Sequence, residues 1–238
     1  MKKYVRARVT AAILASLAAP AMAEDVSVYV EGFGGYALGT QSGSGDIVSG
    51  TGFGGDFGSS VTYGGGIGVK IPVDNTGFAF RFDVTGSGTP SLGGSNHTGT
   101  LDDGTVVNAK VKTSVTDILA TAYIDMNVGL PVTPYVGFGL GSTNNKIGTV
   151  VYNNANGAFA TVDGAKTQAL AWTGTVGASY SVIPNFDIDL GYRYVGAGKV
   201  KSGANFTDLT NGTTQSLDQP ISSRIQLHQF VATLRYLF

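Results

Sequence analysis

Cysteine is absent from all 238 residues. No disulfide can staple the fold, and with histidine confined to His97 and His228 a tetrahedral zinc site is not expected. Net positive charge is lacking too. Fifteen lysines and arginines face 16 acids, and four of those bases (Lys2, Lys3, Arg6, Arg8) lie in the first eight positions. Without them 11 bases face 16 acids, a net charge of −5 that argues against nucleic acid or an anionic lipid face as partner. After Ala23 no apolar run approaches the ~20 residues of a membrane-spanning helix. "GGGIGVK" (Gly64–Lys70) is no phosphate-binding loop, because the glycine spacing fails and neither Ser, Thr nor a helix follows Lys70. What is plentiful is glycine, 36 residues, alongside 11 Tyr and 12 Phe, a mixture neither collagen-like nor disordered.

The N-terminal bases precede a mostly apolar stretch, Val9 to Ala19, and then Pro20-Ala21-Met22-Ala23. Charge, short apolar stretch and an Ala-x-Ala ending make a secretory signal peptide, with cleavage expected between Ala23 and Glu24. Residues 1–23 are read as the leader and 24–238 as one all-β domain. No cysteine follows the cleavage site, so a lipoprotein anchor is excluded. Arg6-Ala7-Arg8 is not a twin-arginine pair, so general secretion is the expected route.

In the mature chain apolar and polar residues alternate with period two. Side chains of an extended chain point to opposite faces, so each such segment has one apolar and one polar face. "NFDIDLGYRYV" (Asn185–Val195) places Phe186, Ile188, Leu190, Tyr192 and Tyr194 on one face and Asp187, Asp189 and Arg193 on the other. Phe78, Phe80, Phe82 and Val84 alternate with Ala79, Arg81, Asp83 and Thr85. Trp172, Val176 and Tyr180 alternate with Thr173, Thr175 and Ser179, and Phe230, Leu234, Tyr236 and Phe238 with Gln229, Thr233 and Arg235. Eight strands are predicted, near 26–37, 59–71, 77–87, 110–128, 133–143, 167–182, 185–197 and 223–238.

The connections sort into two kinds. "PVDNT", "GLPVT" and "VIPN" are tight turns marked by Pro, Asn or Asp. The segments near 38–58, 88–109, 144–166 and 198–222 are long and polar and are read as loops. Long and short connections alternate, the layout of an up-and-down membrane barrel with apolar residues facing lipid and polar residues facing the lumen. Glu31, Lys70, Arg81, Asp83, Asp125, Asp187, Asp189, Arg193 and Arg235 are then lumenal and must be paired. Asp187 or Asp189 is expected to reach Arg235, with Glu31 joining across the closing strands. A soluble cup with reversed faces would instead expose Asp187, Asp189, Arg193 and Arg235.

The chain ends "FVATLRYLF", with apolar residues at alternate positions up to Phe238. Together with "ATAYIDMNV", "TPYVGFGLGS" and "AWTGTVGASYSVIPNFDIDLGYRY" this resembles the small outer-membrane β-barrel domain family of OmpA, OmpX and Opa type, nearest to single-domain surface antigens of alphaproteobacteria. The resemblance implies an eight-stranded antiparallel barrel in a Gram-negative outer membrane, in contact with outer-membrane lipid and lipopolysaccharide. It implies insertion by the barrel assembly machinery through the Phe238 signal. No peptidoglycan-binding domain follows, so a barrel alone is expected.

The function read from these features is non-enzymatic: a surface barrel, adhesin or antigen, whose four outer loops meet an extracellular ligand, with no cofactor. A small porin-like channel through the lumenal charges is the alternative. A lipid-modifying enzyme rests only on His228 near Ser222 and Ser223, and no acidic third member stands at a suitable spacing. Asp187 and Asp189 as a hydrolytic pair would need a substrate cleft that a sealed lumen lacks. Asp102-Asp103-Gly104 is read as a solvated turn.

Overall fold

The computed structural model describes residues 26–42, 55–100, 105–216 and 222–238. Residues 1–23, read from the sequence as a leader, together with Glu24 and Asp102-Asp103-Gly104, read there as a turn, lie outside them. Twelve antiparallel strands follow one another: β1 (Ser27–Ser42), β2 (Gly55–Val73), β3 (Phe78–Thr100), β4 (Val106–Met126), β5 (Thr133–Ile147), β6 (Val150–Asn154), β7 (Gly157–Val162), β8 (Ala165–Ile183), β9 (Phe186–Lys201), β10 (Asn205–Asp208), β11 (Thr214–Ser216) and β12 (Ser222–Leu237). No helix occurs among the described residues.

Eight of these close a barrel in the order β1-β2-β3-β4-β5-β8-β9-β12, with β12 hydrogen-bonded back to β1. Closure leaves no unpaired edge, which a hydrocarbon solvent without hydrogen-bonding partners requires. The period-two pattern fixes the register, since a slip of one residue would turn the outward aromatics inward. Tight turns join β2 to β3, β4 to β5 and β8 to β9 at one end. In the first, Asn75 and Gly77 take positive φ, 60° and 72°, which glycine and asparagine tolerate best.

The other end departs from the four loops expected from sequence. β3 runs on to Thr100, and β4 starts at Val106. β5 pairs with β4 only from Thr113 to Asp125. Beyond that point Asn108–Lys110 of β4 pairs with Val151–Asn153 of β6. β6, β7, β10 and β11 then extend this sheet outward in that order. The described residues near 88–100 and 106–109, much of 144–166, and part of 198–222 are therefore strands of a sheet rising above the barrel. Their Gly, Ser, Thr and Asn content hid them, because pairing with neighbours, not intrinsic propensity, holds them extended. Pro90 falls where the β3–β4 register shifts between Thr89 and Leu92, as expected for a residue that cannot donate to the ladder.

β9 carries a bulge. Lys199 pairs with Arg224 but Gly196 with Gln226, so one extra residue sits in β9, and Gly198 there has φ of 76°. The bulge exchanges the faces. Asp187 to Val195 point inward at odd positions, whereas beyond it Val200 and Ser202 are buried and Lys199 and Lys201 are exposed.

Candidate functional site: a charged lumen beneath an apolar cap

Within the barrel the register sets Glu31 opposite Arg235, and Arg235 opposite Asp187. A row of acid, base, acid thus crosses three adjacent strands. Arg235 Nε lies 3.5 Å from Glu31 Oε2 and Nη1 3.5 Å from Asp187 Oδ2, while Nη2 contacts Asp189 Oδ2. A second hub is Arg81. Its Nε donates to Asp125 Oδ1 at 2.8 Å, and its Nη1 stands 3.8 Å across the lumen from Asp189 Oδ2. Lys70, the cross-strand neighbour of Arg81, reaches Asp125 Oδ2 at 4.0 Å. Asp189 joins the two hubs, and hydroxyls complete the network: Ser181 Oγ donates to Asp187 at 2.6 Å, and Ser179 Oγ to Asp189.

The remaining predicted lumenal residues lie outside these two hubs. Asp83 accepts from the Tyr29 hydroxyl at 3.2 Å. Arg193, nearer the long-connection end, donates to Gln229 Oε1 at 2.7 Å and to Ser87 Oγ at 3.2 Å. Ser87 in turn donates to Asp117 Oδ2 at 2.6 Å, so a hydroxyl links Arg193 to a carboxylate missed in the sequence. Asp117 shares the inward phase of Asp125, eight residues on, and that phase was the available signal.

Inward aromatics were missed as well. Tyr29, Phe33, Tyr123 and Tyr135 all enter the lumen. Each lies against an inward glycine of a neighbouring strand. A Cβ on Gly68 would strike the Tyr29 ring, on Gly64 the Phe33 ring, on Gly137 the Tyr123 ring, and on Gly177 it would sit 2.5 Å from the Tyr135 hydroxyl, which also lies 2.6 Å from the Cβ position of Gly191 one strand further on. The inward glycines make room for these rings, and the rings cover the guanidiniums. Arg81 Cζ stands 4.6 Å from the Tyr123 centroid and 4.8 Å from that of Tyr135. Arg193 stacks on Phe33 at 4.7 Å and Arg235 on Tyr29 at 5.0 Å. Such stacking suits a weakly hydrated planar cation.

Above the charges the lumen turns apolar. Leu92, Val107, Val115, Ile147, Val195, Ala197, Val200, Ile225 and Leu227 from the barrel strands pack with Val150, Tyr152, Ala160 and Val162 of β6 and β7. Phe159 and Phe206 lean on this cluster. The extra hairpin therefore closes the mouth with a hydrophobic core.

The outer surface shows the expected aromatics. Phe78, Phe80, Phe82, Trp172, Tyr180, Leu190, Phe230, Leu234, Tyr236 and Phe238 are exposed, and Phe186, Ile188, Tyr192 and Tyr194 are half-buried against their neighbours. A row of rings crosses four strands: Phe138 to Trp172 at 6.4 Å, Trp172 to Tyr194 at 5.0 Å, Tyr194 to His228 at 5.2 Å. His228 Nδ1 is 2.6 Å from the Tyr192 hydroxyl. Ser222 and Ser223 belong to the same strand as His228, six and five residues away, or roughly 16–20 Å along it. The serine–histidine pairing suggested by their closeness in sequence is thus not formed.

A closed barrel with an apolar outer band, an aromatic row and a charged lumen defines an integral outer-membrane β-barrel. The chain belongs to the outer membrane protein beta-barrel domain family, whose model matches residues 9–217. It is similar to outer membrane protein PagN of Salmonella typhimurium, 25% identical over 184 residues that cover 74% of this chain and 73% of that one. It is 26% identical over 183 residues to a Rickettsia bellii protein described as "Putative adhesin", with 75% and 76% covered. Among solved structures, outer membrane protease OmpT from Escherichia coli superposes with a TM-score of 0.51 at 10% identity, over 90% of this chain and 96% of that one. That likeness concerns the fold alone. The protein resides in the bacterial outer membrane.

Proposed function

We propose that this protein is a non-enzymatic surface adhesin that binds an extracellular ligand through its long-connection end. The observation that carries the reading is the sheet of β3, β4, β6, β7, β10 and β11 raised above the barrel on its own hydrophobic core. A barrel needs no such structure to span a membrane, and it presents a firm surface outside. The likeness to a relative named as an adhesin supports the same reading. The lumenal ion pairs serve as a structural plug, and the cap above them weighs against a solute path. Cleavage after Ala23 and insertion through Phe238 place both ends of the mature chain on the periplasmic side.

The test is display of the full chain on a non-adherent Gram-negative host, with attachment to cultured epithelial cells counted. Attachment should rise several-fold. It should be lost when residues 205–216 are replaced by a short Gly-Ser turn, while surface antibody staining of an added tag persists. No gain from the full chain, or full attachment without 205–216, would overturn the proposal.

A further inference from the structure

The two hairpins of the raised sheet end in the same dipeptide. Asn156-Gly157 lies between β6 and β7, and Asn211-Gly212 between β10 and β11. The sequence holds no other Asn-Gly pair. Asparagine before glycine can modify itself. The backbone nitrogen that follows asparagine attacks the side-chain carbonyl carbon, since the two groups already belong to one short ring. Most following residues crowd that nitrogen with a Cβ, and glycine does not. All four residues are exposed, and the glycines take positive φ, 116° at Gly157 and 71° at Gly212. A Cβ at either glycine would meet nothing within 4 Å, so no neighbour shields either tip.

The tips differ in what holds the asparagine side chain. Asn211 Oδ1 accepts two hydrogen bonds, from Thr213 N at 2.9 Å and from Thr213 Oγ1 at 2.6 Å. The first is an Asx turn, in which a side chain bonds the backbone two residues on. It folds the side-chain carbonyl over the Gly212 peptide. Both donors then point at the oxygen that gains negative charge when Gly212 N adds to Asn211 Cγ, as in an oxyanion hole. Gly212 N donates to Asp208 O at 2.9 Å, and Asp208 N to Thr213 O at 2.9 Å, so nucleophile and donors are set by one ring of bonds. At the other tip Asn156 N donates to Asn154 Oδ1 at 2.9 Å, and among the described residues no donor bonds the Asn156 side chain.

We propose that Asn211 is a self-modifying site, converted in the folded protein to aspartate and isoaspartate without an enzyme. Gly212 N gives its proton to water and forms a bond to Asn211 Cγ. The bond from Cγ to Nδ2 breaks, and Nδ2 takes a proton from water and leaves as ammonia. A cyclic imide remains. Water adds to one of its two carbonyls and breaks the bond from that carbon to Gly212 N. Opening at Cγ gives aspartate, and opening at the main-chain carbon gives isoaspartate, whose backbone runs through the former side chain. Nothing is oxidised or reduced. Either product adds a negative charge close to Asp208. Isoaspartate also adds a methylene to the turn that sets Thr207 opposite Thr214. The tip of the raised sheet therefore changes with the age of the molecule, whatever it binds.

The test keeps the refolded full chain in detergent and heavy-oxygen water in a mildly alkaline buffer. Samples are moved to ordinary water, boiled and digested briefly with trypsin. Heavy oxygen then marks only what formed in the folded state. Fragmentation in the mass spectrometer reads the label at Asn211 within Ser202–Arg224 and at Asn156 within Ile147–Lys166. Labelled aspartate and isoaspartate should accumulate at Asn211 about tenfold faster than at Asn156, because only Asn211 has donors on its carbonyl. Thr213→Val keeps the N–H and loses the hydroxyl. It should slow Asn211 about tenfold, less than the ~10²–10³ of a donor in an enzyme, since this tip is open to water. Gly212→Ala should slow it as well, and the heat-induced gel shift should stay unchanged in both variants. No label at Asn211, an equal rate at Asn156, or an unchanged rate in Thr213→Val would each overturn the proposal.

Discussion

Arg235 has three carboxylates around it and is 1% exposed, so the cost of losing it is set by what stays behind. Arg235→Ala leaves Glu31, Asp187 and Asp189 together in the lumen with only Arg81 near one of them. Breaking a buried pair typically costs ~3–5 kcal/mol, and urea unfolding in detergent should show a loss of that size. The lipid face has its own counterpart. Leu190→Arg, at a position 66% exposed on the outer surface, should cost roughly 2–4 kcal/mol if it lies near the bilayer midplane, and refolding titrations into phospholipid vesicles read this directly. At this scale the sequence was readable where charge and aromatic residues alternated, as in β9. It misled where the inward residue was itself aromatic. In β1 the phase of Glu31 already placed Tyr29 and Phe33 inside, yet large rings look like lipid-facing residues. Only the facing glycines of β2 explain why they fit. For the same reason Gly191→Ser should not be innocuous, since the Tyr135 hydroxyl occupies the space a Cβ needs.

Among the elements, β9 shows how one residue governs a surface. Its first half was legible from strict alternation. Its second half was not, because the bulge at Gly198 breaks the period that made the first half readable. Gly198 has both a positive φ and a neighbour, Ala169 Cβ, only 2.6 Å from where its own Cβ would lie. Gly198→Val, which suits neither that φ nor that space, should favour the regular odd phase, turning Lys199 and Lys201 toward the apolar cap and Val200 outward. Unpaired cations do not survive among Val, Ile and Leu side chains. Limited proteolysis of that variant should cut near 199–216 within minutes, whereas the wild type should resist trypsin at Lys146, Lys166, Lys199 and Lys201, which all sit in paired strands. The heat-induced gel shift of the barrel should persist in both.

The whole molecule was legible as a barrel because loop lengths alternated and faces were consistent from strand to strand. Its surface chemistry was not, because net charge is a sum and the fold separates the terms. Among the described residues six lumenal carboxylates, Glu31, Asp83, Asp117, Asp125, Asp187 and Asp189, accompany Lys70, Arg81, Arg193 and Arg235, while the outward charges of the barrel strands are basic. Residues 24–238 sum to −5, yet the outward faces of the described barrel strands carry cations. The plugged and capped lumen also bears on conduction. In planar bilayers the wild type should be electrically quiet. Arg235→Ala, which adds negative excess to the lumen, should stay quiet as long as the cap is intact, and should conduct with cation preference once residues 150–162 are also removed. Steady conductance by the wild type would instead favour the channel reading.

The cap has a consequence in time. Its side chains come from β3, β4, β5, β6, β7, β9 and β12, so it brings together Leu92 and Leu227, 135 positions apart, and cannot be complete before the last strand is in place. Contacts of such long range are slow to close. Refolding should therefore show two clocks. The gel shift that marks a closed barrel should come first, and resistance of the raised sheet to protease later. Removing Phe159 and Phe206, which only lean on the cap, should delay the second without touching the first. A cell would then hold, for an interval after insertion, a finished membrane span with an unfinished exterior.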